Sequence, residues 1–147
     1  MKRLGLLLVC VAALAMTSCS SLQSASASNP MAYASGQACG TAVQGLYGSY
    51  RNTGKLDLTA GNNLTNALAV ATAYSQMQQN KNSQSYRRAF TNGLIASSSG
   101  LITTANATSF VDKLLGTTAL ANVNANSVSQ TATTAMAIIT LLNTLKQ

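Results

Sequence analysis

From residue 39 onward the apolar residues recur at spacings of three and four, the period of a helix face and not of a strand. Cys39, Val43, Leu46, Tyr47 and Tyr50 form a first stripe, and Gly54 is a natural stop after it. Residues 55–59 alternate briefly and predict an extended connector that delivers Leu56 and Leu58 to the core. Leu64, Leu68, Ala71, Tyr74 and Met77 form a second stripe, entered through Asn62 or Asn63 as N-cap. Tyr86, Phe90, Leu94 and Ile95 form a third, after the capping candidates Ser83 and Ser85, and Gly100 closes it. Phe110, Val111, Leu114 and Leu115 predict a short fourth helix between Ser109 and Gly116. Val128, Ala132, Ala135, Met136, Ile139, Leu142 and Leu145 predict a last helix capped by Ser127. Its broad apolar face around Ile138, Ile139, Leu141 and Leu142 suits a central core helix and is too short to span a bilayer. Residues 119–126 alternate Ala or Val with Asn and read as a loop. The expected fold is all-α, a small bundle of about five amphipathic helices.

The first residues have a different pattern. Lys2 and Arg3 precede an uncharged apolar run over residues 4–15, shorter than the roughly 20 residues a membrane span needs. Met16, Thr17 and Ser18 then lead into Cys19, and polar Ser20, Ser21 and Gln23 follow at once. Small residues at the end of such a run suit cleavage of a secretory signal. Met16-Thr17-Ser18-Cys19 resembles the lipobox of bacterial lipoproteins, with Met16 standing where Leu is usual. The resemblance covers about the first 20 residues. It implies that Cys19 becomes the mature N-terminus and the lipid attachment site, carrying acyl chains such as palmitate. Two or three chains anchor stably, because each buried CH₂ adds about 0.8 kcal/mol. By the same resemblance, Ser20 in place of Asp after the cysteine implies the outer membrane, facing the periplasm or the cell surface. Residues 1–18 are then the signal and residues 19–35 a Ser/Ala-rich tether with Asn29-Pro30 in its middle. Residues 36–147 are the helical domain.

Composition changes this picture in two ways. Charged residues are 7% of the chain, far below the typical quarter, so Asn, Gln, Ser and Thr must supply the polar surface. Such a surface repels copies of itself weakly, which makes a homo-oligomer an expected partner state. The charge that exists is lopsided. Arg51, Lys55, Lys81, Arg87 and Arg88 lie mid-chain against only Asp57 and Asp112. A basic face could meet anionic lipid head groups or lipopolysaccharide phosphate. Nucleic acid is not expected for a chain exported from the cytoplasm, and solvated surface charge is the plain reading of these residues.

The chemical inventory is thin. The absence of His excludes Ser-His-Asp and Cys-His catalysis and removes the commonest metal ligand. Gln37-Ala38-Cys39-Gly40 overlaps a caspase-type nucleophile signature, but Thr41 stands where Gly is needed and no imidazole exists to activate the thiol. Small neighbours Ala38, Gly40 and Ala42 predict that Cys39 is buried at a tight helix contact. A glycosidase would need Asp57 and Asp112 within roughly 5–10 Å of each other. Their local contexts, a turn and a helix start, favour structural roles. Two carboxylates and one thiol do not make a zinc or calcium site, and neither a phosphate-binding loop nor a dinucleotide fingerprint occurs. No cofactor is expected. Tyr47, Tyr50, Tyr74 and Tyr86 fall on the stripes and should pack in the core with hydroxyls reaching the surface, whereas Tyr33 falls in the tether.

The reading that follows is a non-enzymatic, membrane-anchored lipoprotein. It would be an envelope structural or accessory component acting through protein contacts. The alternative is a binding module for an apolar or glycan ligand held between helices, which requires a cleft of roughly 300 Å³ or more.

Overall fold

The computed structural model describes residues 28–116 and 128–145, and among these every regular element is an α-helix. They are α1 (Pro30–Thr53), α2 (Asn63–Gln79), α3 (Gln84–Ser97), α4 (Ala107–Gly116) and α5 (Val128–Leu145). The expected all-α bundle is the fold observed. Cys19, the signal, most of the tether and residues 119–126 lie outside the described residues. No described helix is long and apolar enough to cross a membrane.

The first helix starts earlier than its apolar stripe. Asn29 caps it, its Oδ1 accepting from the Ala32 amide at 3.2 Å, and Pro30 occupies the first turn. Asn-Pro is therefore a helix entry here: Pro lacks only an N–H that the first turn leaves unpaired anyway. Residues 30–35, assigned above to the tether, belong to α1, and Tyr33 packs half-buried against the core. At the other end Gly54 adopts φ 69° and its amide donates to the Tyr50 carbonyl at 2.7 Å, closing the helix as expected.

The most extensive helix contact is α1 against α3, and it is built from missing side chains. Gly36 and Gly40 of α1 lie directly on the α3 backbone. A β-carbon on Gly36 would collide with the Phe90 carbonyl, with the carbonyl carbon at 2.8 Å and the Leu94 nitrogen at 3.0 Å. Gly93 of α3 returns the arrangement, facing the Tyr33 carbonyl and, at 2.9 Å, the Gln37 nitrogen. Cys39 sits within this seam, fully buried, as its small neighbours predicted.

Around the seam the larger side chains fill the core. Leu46, Met77, Phe90, Leu94, Phe110 and Leu114 are completely buried, and Ile138, Ile139 and Leu142 of α5 close over them. Helix α5 rests on α2, α4 and α1 but is not the central core helix expected: Thr133, Met136, Thr140 and Asn143 leave one face exposed, and α1 holds the centre. Two stripe assignments need correction. Leu64 and Met136 are exposed, whereas Ala71, Tyr74 and Met77 of the α2 stripe are buried as expected and are joined by Ala67, Val70 and Ala73. That helix is rich in alanine on several sides, so apolarity alone did not distinguish its faces.

The connectors are held by side chains. Asn63, nearly fully buried, does not cap α2; its Nδ2 donates to Ser49 Oγ and to the Asp57 carbonyl, both at 2.8 Å. The extended connector expected over residues 55–59 is irregular, with bends and turns, and Leu56 and Leu58 pack half-buried against the core from it. Between α3 and α4, Ser99 and Gly100 take left-handed φ values of 51° and 81°. The buried Ser98 hydroxyl donates to the Ile102 carbonyl at 3.0 Å and accepts from the Ile102 amide at 3.2 Å. This clamp seats Ile102 in the core without any helix around it.

Candidate functional site

Helix α3 carries two stripes at the same spacing. Tyr86, Ala89, Phe90, Gly93 and Leu94 face the core. Gln84, Arg87, Arg88, Thr91, Asn92 and Ile95 run along another side and form one wall of a groove. The facing wall comes from α4 and the turn before it, through Thr104, Ala107, Thr108 and Val111. Lys81 and Asn82, from the turn between α2 and α3, also line it. The groove measures about 590 Å³ and is open to solvent. Its existence follows from packing. The glycine seam draws α3 toward α1, and the α4 residues on the facing wall are too short to fill the space.

The groove is positively charged. Arg87 donates from a terminal guanidinium nitrogen to Asp112 Oδ1 across the α3–α4 boundary. With side chains 37% and 57% exposed, that pair is worth at most about 1 kcal/mol. Lys81 and Arg88 make no ion pair among the described residues. Three cations thus meet one carboxylate. Its apolar lining is half-buried Ile95 with the nearly fully buried Ala107 and Val111, and the remaining neutral lining is amide and hydroxyl. Such a site draws anions and offers neutral hydrogen-bonding groups beside an apolar surface. A second cleft of about 380 Å³ lies between α1 and α2 and is lined largely by small residues such as Ala34, Ala38, Ala69 and Ala73.

The residues singled out from sequence fall elsewhere. Cys19 lies outside the described residues. Asp57 sits in the connector after α1, where its Oδ1 accepts from the Thr59 hydroxyl at 2.6 Å and the Thr59 amide at 2.8 Å. The hydroxyl first, and then the amide, hold its carboxyl below the usual carboxylate range. Asp112 is on α4, bound to Arg87. The two carboxylates are thus tied to different partners, and neither lines the groove. The Cys39 thiol has its pKa pushed up to about 12 by burial. Among the described residues, no three of His, Cys, Asp and Glu gather at one place. Tyr74 accepts from Gln78 Nε2 at 2.8 Å, but the Tyr86 hydroxyl is buried with no hydrogen-bond partner among the described residues, contrary to the expectation that it reaches the surface.

The reading of Lys81 and Arg88 as solvated charge holds, since both are exposed; what the sequence did not show is that they and part-exposed Arg87 line one groove. The signal was the second stripe on α3, polar residues at spacings of three and four that run parallel to the apolar stripe. No family model matches the chain, and no match is found among curated proteins or solved structures.

Proposed function

We propose that this protein is a non-enzymatic bacterial lipoprotein, held at the outer membrane through Cys19 and acting there by contact with an envelope partner. The observation that supports the non-enzymatic reading is the commitment of its reactive groups. Asp57 is bound into a turn, Asp112 is paired with Arg87, and the Cys39 thiol is buried and held protonated. The anchor rests on the lipobox resemblance at Met16-Thr17-Ser18-Cys19. The intact mass of the mature protein tests it. A Cys19 N-terminus carrying diacylglycerol is expected, and Cys19→Ala should move the protein out of the membrane fraction. An unmodified N-terminus, or processing indifferent to globomycin, overturns the reading.

A second reading is favoured by the groove between α3 and α4. A binding module for a small glycan would use such a cleft, whose volume lies within the range of small-molecule sites, about 300–1,000 Å³. The two readings are compatible, since an anchored domain can present a groove. Chemical-shift changes at Asn92 and Thr108 on adding saccharides test it, and an unresponsive groove rejects it.

A further inference from the structure

We infer that the groove between α3 and α4 takes a phosphorylated saccharide. The inference rests on the second reading, that this cleft is a binding site, and adds the chemistry of what enters it. Three observations combine. First, Lys81, Arg87 and Arg88 line one groove in a chain that has only two carboxylate side chains. Asp57 is occupied in a distant turn, and only Asp112 offsets any of this charge. The groove therefore keeps a local positive excess, which suits an anion. Second, Arg87 gives one guanidinium nitrogen to Asp112, and its other N–H groups make no hydrogen bond among the described residues. Arginine forks of this kind match phosphate oxygens. Third, the cleft of about 590 Å³ is far larger than a phosphate ion needs. The rest of its polar lining is Asn82, Gln84, Thr91, Asn92 and Thr108. Amides and threonine hydroxyls pair with sugar hydroxyls, and half-buried Ile95 offers apolar contact to the C–H face of a sugar ring.

Asp112 gives the groove its own internal control. It competes with a ligand phosphate for Arg87, so removing its charge should strengthen binding, whereas removing a groove cation should weaken it. A merely structural ion pair would predict no gain.

The test is a ligand-observed NMR titration of the full-length protein in neutral detergent, with glucose 6-phosphate, glucose and inorganic phosphate as probes. Glucose 6-phosphate should bind most tightly. Lys81→Gln with Arg88→Gln should weaken it about tenfold or more, as expected for lost charge-assisted hydrogen bonds. Asp112→Asn should tighten it about threefold, the scale of an exposed charge pair. Arg51→Gln, an exposed cation in the last turn of α1, should leave it unchanged. Phosphatidylinositol doped into the micelles identifies the source. Displacement of the probe assigns the ligand to a lipid headgroup and retention assigns it to solution, and either leaves the groove chemistry standing. Equal binding of glucose and glucose 6-phosphate overturns this inference and keeps the glycan reading. Binding of none of the probes overturns both. An Arg51→Gln loss as large as that of the double variant also overturns it, because general charge would then explain the affinity.

Discussion

A buried thiol has two measurable consequences at Cys39. Its surroundings exclude water and hold no cation to stabilise a thiolate, so burial raises its pKa to about 12 from an ordinary value near 9. Alkylating reagents need the thiolate and access to it. Cys39 should therefore resist maleimide in the native protein and react at once in denaturant, and rapid native labelling would contradict its placement. The linkage to stability has a definite sign. Between about pH 9 and 12 the unfolded chain loses this proton while the folded chain keeps it. Stability contributed by the neutral thiol is thus complete below pH 9 and falls above it, by about 1.4 kcal/mol per pH unit. Cys39→Ala should remove that slope in denaturant melts across this range. Ser98 shows the opposite kind of polar burial, since its hydroxyl satisfies both backbone groups of Ile102. Ser98→Ala strands them in the core and should cost about 1–3 kcal/mol in chemical denaturation. Tyr86→Phe removes a hydroxyl that has no partner among the described residues. It should be neutral or slightly stabilising by the same assay, where an ordinary bonded tyrosine would lose about 1 kcal/mol.

Helices α1 and α3 owe their closeness to glycine, and a single methyl is enough to test this. Gly36→Ala and Gly93→Ala each place a β-carbon against backbone of the other helix, which cannot swing aside as a side-chain tip could. Each should destabilise by about 2 kcal/mol or more, since the helices must separate. Gly48 lies in the same α1 helix with open space around the position of its β-carbon. Gly48→Ala should instead stabilise by about 0.5–1 kcal/mol, from helix propensity alone. Thermal melts of the three variants in parallel separate packing from propensity. This contact was partly legible beforehand, because Ala38, Gly40 and Ala42 around Cys39 announced a close approach, though the partner helix could not be read. The stripes of α1, α3 and α4 were legible where large and small side chains alternate. On α2 the stripe held at Ala71, Tyr74 and Met77 and failed at Leu64, which is exposed on a helix with alanines on several faces. The entry of α1 was lost for a different reason: Asn29-Pro30 is as good a helix start as a linker, and only the Asn29 hydrogen bond to Ala32 decides between them. The groove was written in the polar stripe of α3, but a polar stripe facing a second helix and one facing bulk solvent have the same sequence. What distinguishes them is the placement of α4, a long-range packing outcome.

For the molecule as a whole, a surface with few charges and a core closed by apolar contact predicts an unusual response to salt. Most small proteins carry ion pairs of both signs, so screening takes away some attraction. Here the described residues give one pair, Arg87 with Asp112, and it is exposed. Arg51, Lys55, Lys81 and Arg88 share their sign, so their mutual interactions are repulsive. Raising sodium chloride shrinks the screening length from about 10 Å at 0.1 M to about 3 Å at 1 M. Screening weakens both this repulsion and the exposed Arg87–Asp112 pair, which is worth at most about 1 kcal/mol. The melting temperature should accordingly stay level or rise as salt is added. A fall of more than about 5 °C, the size of shift that about 1 kcal/mol produces in a domain of this scale, would mean that ion pairing holds the bundle together. Asp112→Asn provides the internal check on that measurement. If the single pair is worth at most about 1 kcal/mol, the variant should melt within a few degrees of the parent at low salt and coincide with it at high salt.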